Sequence, residues 1–184
     1  MNSLQGHFLV ASPKLVDPNF FRTIVLVVQH NEEGALGLVL NRPLDMTIGT
    51  AWEQVSESPC AADGNLHRGG PCEGPLMVLH TDEDASEVEV ASGVHFTTDR
   101  DAIERLVGDA DHGPLRFFVG YAGWGRGQLE SEMEEGSWMA MPASVQAVFT
   151  EDEERWQGLM KQIMRSAALP GVNPKCVPED PSMN

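Results

Sequence analysis

Carboxylates dominate the side chains that could do chemistry in this chain, and four of them fall at helical spacings: Glu130 with Glu134, and Glu132 with Glu135. Residues three or four apart share a helix face, so each pair points two carboxyls the same way. Such a pair performs acid–base work, or holds a divalent cation, when burial separates the two pKa values. In a chain with 28 Asp and Glu, the same spacing also describes a solvated acidic face, which is the commoner outcome. Directly upstream lies the least ordinary stretch of the sequence, Gly120-Tyr121-Ala122-Gly123-Trp124-Gly125-Arg126-Gly127-Gln128-Leu129-Glu130. Where a buried strand runs into a helix, successive glycines turn backbone N–H groups toward one point, and the helix N-terminus attracts anions. A carboxylate or phosphate could then be held beside Arg126. The alternative is a tight strand-to-helix turn that only glycine can make, with Trp124 as a core plug. No Gly-Lys-Ser/Thr follows and the Gly-x-Gly-x-x-Gly spacing is missing, so neither nucleotide fingerprint is present.

The other reactive side chains are scattered. His7, His30, His67, His80, His95 and His112 show no His-x-x-x-His or His-Glu-x-x-His spacing, so no metal site is expected unless the fold assembles one. His67 and His80 could flank the Gly69-Gly70-Pro71 loop with Cys72 near, although a hydrogen-bonded structural role is the commoner one for each histidine. Cys60, Cys72 and Cys176 form no Cys-x-x-Cys pair and read as reduced thiols. A Gly-x-Ser-x-Gly elbow is absent. Two functions therefore compete. The first is a non-enzymatic binding or regulatory module without a cofactor. Its concavity lies near Tyr121, Trp124, Arg126 and Gln128, bordered by Glu130, Arg42 and the Asn41-Arg42-Pro43 and Gly69-Gly70-Pro71 loops. The second is an enzyme using Glu130 or Glu132 as base with His80 close by.

Charge narrows the ligands. With 12 Lys and Arg against 28 Asp and Glu, the net charge is −16. Duplex binding draws its affinity largely from cations that neutralise phosphates, so direct nucleic-acid contact is disfavoured, as is an anionic membrane surface. Phe117-Phe118-Val119-Gly120-Tyr121 superficially resembles an RNA-binding aromatic strand, but lacks the basic surroundings. A protein partner or a small anionic ligand remains. The longest apolar run, Ile24-Val25-Leu26-Val27-Val28, is far short of the ~20 residues that span a bilayer. With no basic region before an apolar stretch at the start, the reading is a cytoplasmic protein.

The elements that must position these residues are mostly short strands. Gly6–Ala11 predicts a strand stopped by Ser12-Pro13, and Thr23–Gln29 one buried on both faces. Ala35–Leu40 completes a hairpin with it and ends at Asn41-Arg42-Pro43. Ile48, Trp52 and Val55 share a face of a short helix over Thr47–Val55. Further strands are expected at Leu76–His80, Val88–Val90, Val94–Phe96, Leu115–Tyr121 and Trp138–Met141. Thr98-Asp99-Arg100-Asp101 caps a helix that stops at Gly108, and a second helix runs from Gln128 to Glu135. Thr150-Glu151-Asp152-Glu153 opens a last helix, burying Phe149, Trp156, Leu159 and Ile163. Most connections are too short for crossover helices. The expected fold is α+β: one domain over residues 1–169, with a mixed, mostly antiparallel sheet curled toward a barrel and helices packed on it. Four prolines in fifteen residues predict an extended, poorly ordered tail over 170–184.

Several blocks together resemble the YqgE/AlgH family, also called UPF0301. They are Gly6-His-Phe-Leu-Val-Ala-Ser-Pro13 with Asp17-Pro18-Asn19-Phe20, His30, and Gly34-Ala-Leu-Gly37-Leu-Val-Leu-Asn41-Arg42-Pro43. Gly69-Gly70-Pro71, Leu79-His80 and Gly120-Tyr-Ala-Gly-Trp124 with Gly127-Gln-Leu-Glu130 and Glu132 extend the likeness from Gly6 to about Pro142. The resemblance implies an α/β bacterial cytosolic protein of about this length, of a kind often labelled a transcriptional regulator. Cys72 stands where the family usually has Val, so the resemblance assigns it no thiol function. With a charge of −16 and no DNA-reading motif, any regulation is expected to be indirect, through a protein partner or a small ligand.

Overall fold

A computed structural model describes residues 3–151 and 154–168; the proline-rich segment expected from Pro170 onward lies outside them. The first strands form as their patterns require. Strand β1 (His7–Ala11), β2 (Ile24–Asn31) and β3 (Gly34–Val39) make an antiparallel meander. Along β2, Ile24, Leu26 and Val28 enter one core while Val25 and Val27 enter another. This is why its apolar run has no polar alternation.

Beyond Val39 the chain makes two strands that its pattern hides. β4 (Pro43–Thr47) pairs antiparallel with β5 (Asn65–Arg68), and helix α1 (Ile48–Trp52), capped by the Thr47 hydroxyl, sits between them. The segment around His67-Arg68, expected as a loop, is thus a strand, running parallel to a later one. β6 (Cys72–His80), β7 (Val88–Ala91) and β8 (Val94–Thr97) follow, then α2 (Arg100–Gly108), whose N-cap is Asp99, one residue past the Thr98 that a capping box would use. β9 (Arg116–Gly125) leads into α3 (Gln128–Glu134), β10 (Trp138–Pro142), α4 (Val145–Phe149) and α5 (Arg155–Ala168).

Strand order is β10-β1-β2-β3-β9-β6-β8-β7, with β4 and β5 hung off β9. All pairings are antiparallel except β5 with β9, where His67 lies opposite Phe118. The sheet curls back on itself. Gln5, just ahead of β1, donates its side-chain amide to the Glu89 carbonyl of β7 at 3.0 Å. Phe8, Leu26, Leu38, Met77 and Phe118 fill the inside of the curl, closed by Val148 of α4 and Met160 of α5. The fold is α+β, a half-barrel with five helices packed on it. Among the described residues no helix is long and apolar enough to cross a membrane.

Two expectations change. Thr150 does not open the last helix: its backbone is extended and closes α4, which holds Phe149, while α5 begins at Arg155. Trp156, Leu159 and Ile163 still pack on the core. Strand β9 also ends later than expected: Gly125, not Tyr121, is its exit toward α3. It continues through the glycine-rich run and pairs with β3, Ala35 opposite Trp124 and Gly37 opposite Ala122. Gly69 and Gly70 cross β9 at backbone contact. A Cβ on Gly70 would stand 2.1 Å from the Tyr121 carbonyl carbon, and one on Gly120 (φ 71°) within 2.9 Å of two carbonyl oxygens. Glycine is required there so that two chains can touch, and not to form an anion nest.

Candidate functional site

The side chains singled out around Gly120–Glu132 form a packed cluster. Trp124 is 5% exposed and packs against both Phe20 and Trp138, with ring centroids 6.1 and 5.9 Å away. Its indole N–H donates to Glu132 Oε2 at 2.9 Å, and the Trp138 indole donates to the same oxygen at 2.8 Å. Gln128 donates to Glu132 Oε1 at 2.9 Å and accepts from the Gly125 N–H at 3.0 Å. Glu132 therefore ties β9, α3 and β10 together, a structural use of a carboxylate. Glu130 accepts from His30 Nε2 at 2.8 Å. Because His30 Nδ1 accepts the Leu4 amide N–H, the ring proton belongs on Nε2. Tyr121 is half-buried against the inner core, and Arg126 reaches an exposed carbonyl, that of Glu32. Tyr121, Trp124, Arg126, Gln128, Glu130 and Glu132 line none of the four cavities described below.

The carboxylate–histidine pair of the enzyme reading is not assembled. His80 is fully buried at the far end of β6, stacked on His95 at 5.9 Å, beside a cavity lined by Asp82, Arg105 and His112. It stands eight residues from Cys72, up to ~26 Å along the strand, so His67, His80 and Cys72 do not share the Gly69–Pro71 loop. Among the described residues no group of three His, Cys, Asp or Glu side chains could hold a metal.

Arg42 is the exception: it borders two cavities. The smaller, about 270 Å³, lies between the Pro18-Asn19, Arg42-Pro43 and Gly70-Pro71 turns. The larger, about 480 Å³, is lined by Arg22, Arg42, Arg116 and Arg155 together with His67, Trp156 and Glu151. Four of the chain's twelve basic side chains thus meet in one concavity, with a single acidic neighbour among the described residues. Another cavity of similar size, about 470 Å³ beside α1 and α2, is apolar apart from Arg100 and polar groups at its rim, and offers no comparable set of charges.

Arg42, Arg116 and Arg155 donate to backbone carbonyls, and Arg22 rests on aromatic rings. Arg116 opens β9 inside the protein at 4% exposure, donating to the carbonyls of Val148 (2.8 Å) and Leu40 (2.7 Å). It also donates to His67 Nε2 at 2.9 Å. His67 must then carry its proton on Nδ1. That atom faces the Phe117 and Asn65 backbone but meets no acceptor in bonding geometry, and Arg116 Nε also lacks one. Burial, then the Arg116 charge, pushes the His67 pKa down to about 4. Burial lowers Arg116 to about 10, opposed by Glu151, so it remains a cation at neutral pH. Arg155 donates to the carbonyls of Thr150 and Ala147 and stacks over Phe8. Arg22 has φ 55°, the only positive φ at a non-glycine among the described residues. Asn41 pins that turn, donating to the Arg22 carbonyl (2.8 Å) and accepting from the Ile24 N–H (2.9 Å), while Arg42 bonds the Phe21 carbonyl. The Arg22 guanidinium rests over the Phe21 and Trp156 rings, 4.9 and 5.5 Å from their centroids. Strain of this kind is held in place where a side chain must be aimed.

With the fold and cavity described, comparison becomes informative. The AlgH-like family model matches residues 8–168. The chain belongs to the AlgH-like family. A UPF0301 protein of Chlorobaculum tepidum is 40% identical over 181 residues, covering 91% of this chain and 95% of the relative. One from Idiomarina loihiensis is 38% identical, covering 89% and 92%. The solution structure of the AlgH protein from Pseudomonas aeruginosa superposes with a TM-score of 0.72 at 31% identity, covering 94% and 91% of the two chains. A Corynebacterium diphtheriae crystal structure matches at 0.70 and 25% identity, covering 88% and 87%. The AlgH-like blocks at Asn41-Arg42-Pro43 and Gly69-Gly70-Pro71 are those that border the arginine-lined cavities.

Sequence reasoning missed Arg22, Arg116 and Arg155, which are far apart in the chain. Arg116 alone left a signal: a cation inside the apolar run Leu115-Arg116-Phe117-Phe118. A charge placed in a buried strand needs partners or a ligand.

Proposed function

We propose that this AlgH-like protein is a non-enzymatic binding module that takes a small organic anion in the arginine-lined cavity. Any regulatory role then runs through that ligand and a protein partner. The observation that carries the reading is the convergence of Arg22, Arg42, Arg116 and Arg155 on about 480 Å³ in a chain of net charge −16. A local reversal of sign against the global charge is a recognition feature, because diffuse repulsion must be overcome at one spot. Cavities of this volume suit small molecules. Direct contact with DNA has no comparable support, as the cations are gathered inside a pocket instead of spread along a face.

The test follows arginine Nε–H NMR signals of the full chain while inorganic phosphate or acetate is added. Signals of the cavity arginines are expected to move. Arg42→Gln should weaken the response about tenfold or more, the worth of a hydrogen bond to a charged group. Signals that stay put under both anions would overturn the reading.

A further inference from the structure

Among the described residues Glu151 is the sole acidic side chain lining the arginine cavity. It lies on the connection between α4 and α5, with its carboxylate 65% exposed, so it can move without disturbing a strand. Its Oε1 stands 3.5 Å from His67 Nε2 and 3.9 Å from the Arg116 guanidinium. Both distances exceed a good hydrogen bond. The first is no ion pair, since His67 Nε2 is already an acceptor for Arg116. Glu151 is therefore held over the cavity floor mainly by the Arg116 charge. Arg116 itself keeps a spare donor, its buried Nε, which has no acceptor among the described residues. The carboxylate stands where an anion is wanted and meets the floor poorly.

Resting on the anion-site reading above, we propose that Glu151 is a tethered competitor, and that the ligand's phosphoryl group takes its place over the Arg116 guanidinium. A phosphoryl dianion brings three strong acceptor oxygens against the one that Glu151 presents. It can therefore engage the floor and the arginines of the mouth together, where a single carboxylate oxygen cannot. The remaining volume, walled by Trp156, accommodates a small organic body, so a phosphate monoester fits the whole cavity. Free phosphate shares the same recognition chemistry. No covalent step is involved. The ligand displaces a side chain, and the swing of Glu151 changes the charge at the cavity mouth that a partner protein would meet.

The experiment is isothermal titration of the full chain with phenyl phosphate, inorganic phosphate and acetate, using the parent protein, Glu151→Gln and Arg42→Gln. Removing the competitor should tighten phenyl phosphate binding about fivefold, the size of a partly exposed ion contact. Arg42→Gln should weaken it tenfold or more. Tighter binding of phenyl phosphate than of inorganic phosphate identifies the monoester as the source, and the reverse order identifies the free ion. If the parent binds phosphate species, Arg42→Gln weakens them and Glu151→Gln changes nothing, the competitor role is overturned and the anion site stands. Acetate binding as tightly as the phosphates overturns the choice of a dianion. If no anion binds the parent or Glu151→Gln, both readings fall.

Discussion

Replacing Glu132 separates a structural carboxylate from a catalytic one. In the fold it accepts two buried indole N–H groups on one oxygen and the Gln128 amide on the other. Glu132→Ala leaves both indoles without their acceptor, and each unsatisfied buried donor costs roughly 1–3 kcal/mol. Glu132 is only half-buried, so water recovers part of the loss and about 3 kcal/mol is expected. For a chain of this size that lowers Tm by about 6–12 °C. Glu132→Gln keeps a carbonyl oxygen for the indoles and should cost about 1 kcal/mol, chiefly from the two amides now facing each other at Gln128. Urea unfolding followed by tryptophan fluorescence measures both. An Ala variant within about 0.5 kcal/mol of the parent, or Ala and Gln variants of equal stability, would refute the assignment of Glu132 as the tie between β9, α3 and β10.

Acid should weaken the fold through His67. Its folded pKa, about 4, lies below the ordinary 6.5, so the unfolded chain binds more protons between those values and stability rises with pH there. The contribution is complete above about pH 6.5 and is lost as pH falls toward 4, by about 2 kcal/mol near pH 5 and about 3 kcal/mol near pH 4. Urea midpoints at neutral pH and near pH 5 should therefore differ less in His67→Gln than in the parent. His80, lowered by its own burial, contributes in the same direction to both proteins, and equal slopes would exclude His67 as a source. The glycines give a paired test. Gly120→Ala meets two carbonyl oxygens at φ 71° and should cost about 3 kcal/mol or more, whereas Gly127→Ala, at φ 74° with nothing within 4 Å, should cost about 1 kcal/mol. Denaturant melts that rank the two equally would show that close approach at Gly120 carries no weight.

Much of the sheet was legible because its signal is local. β1, β2, β3, β7 and β8 carry runs or alternations bounded by turn residues, and the Asp99 cap and Gly108 stop frame α2. β4 and β5 carried no such signal. Pro43-Leu44-Asp45-Met46-Thr47 is largely exposed and does not alternate, and β5 buries the adjacent residues Leu66 and His67 because it lies between β4 and β9. Their pairing is tertiary. The glycines of β9 were conspicuous but misled about geometry, since what they accommodate is the backbone of Gly69-Gly70, some fifty residues away. Trp124 was read correctly only in its alternative role as a core plug. The cavity was hidden for the same reason as β5: Arg22, Arg42, Arg116 and Arg155 share no spacing, and only the curl of the sheet gathers them. Arg42 was singled out in the sequence because of the loop it belongs to, and its partners came with the fold.

The left-handed turn at Arg22 has a consequence for how this protein would respond to selection for ruggedness alone. A side chain at φ 55° is disfavoured by roughly 1–2 kcal/mol, and glycine would adopt the same turn without that penalty. The most accessible stabilising change at this position is therefore also the one that strips a guanidinium from the cavity mouth. If the cavity binds an anion as proposed, thermal robustness and ligand capture pull against each other at this single residue.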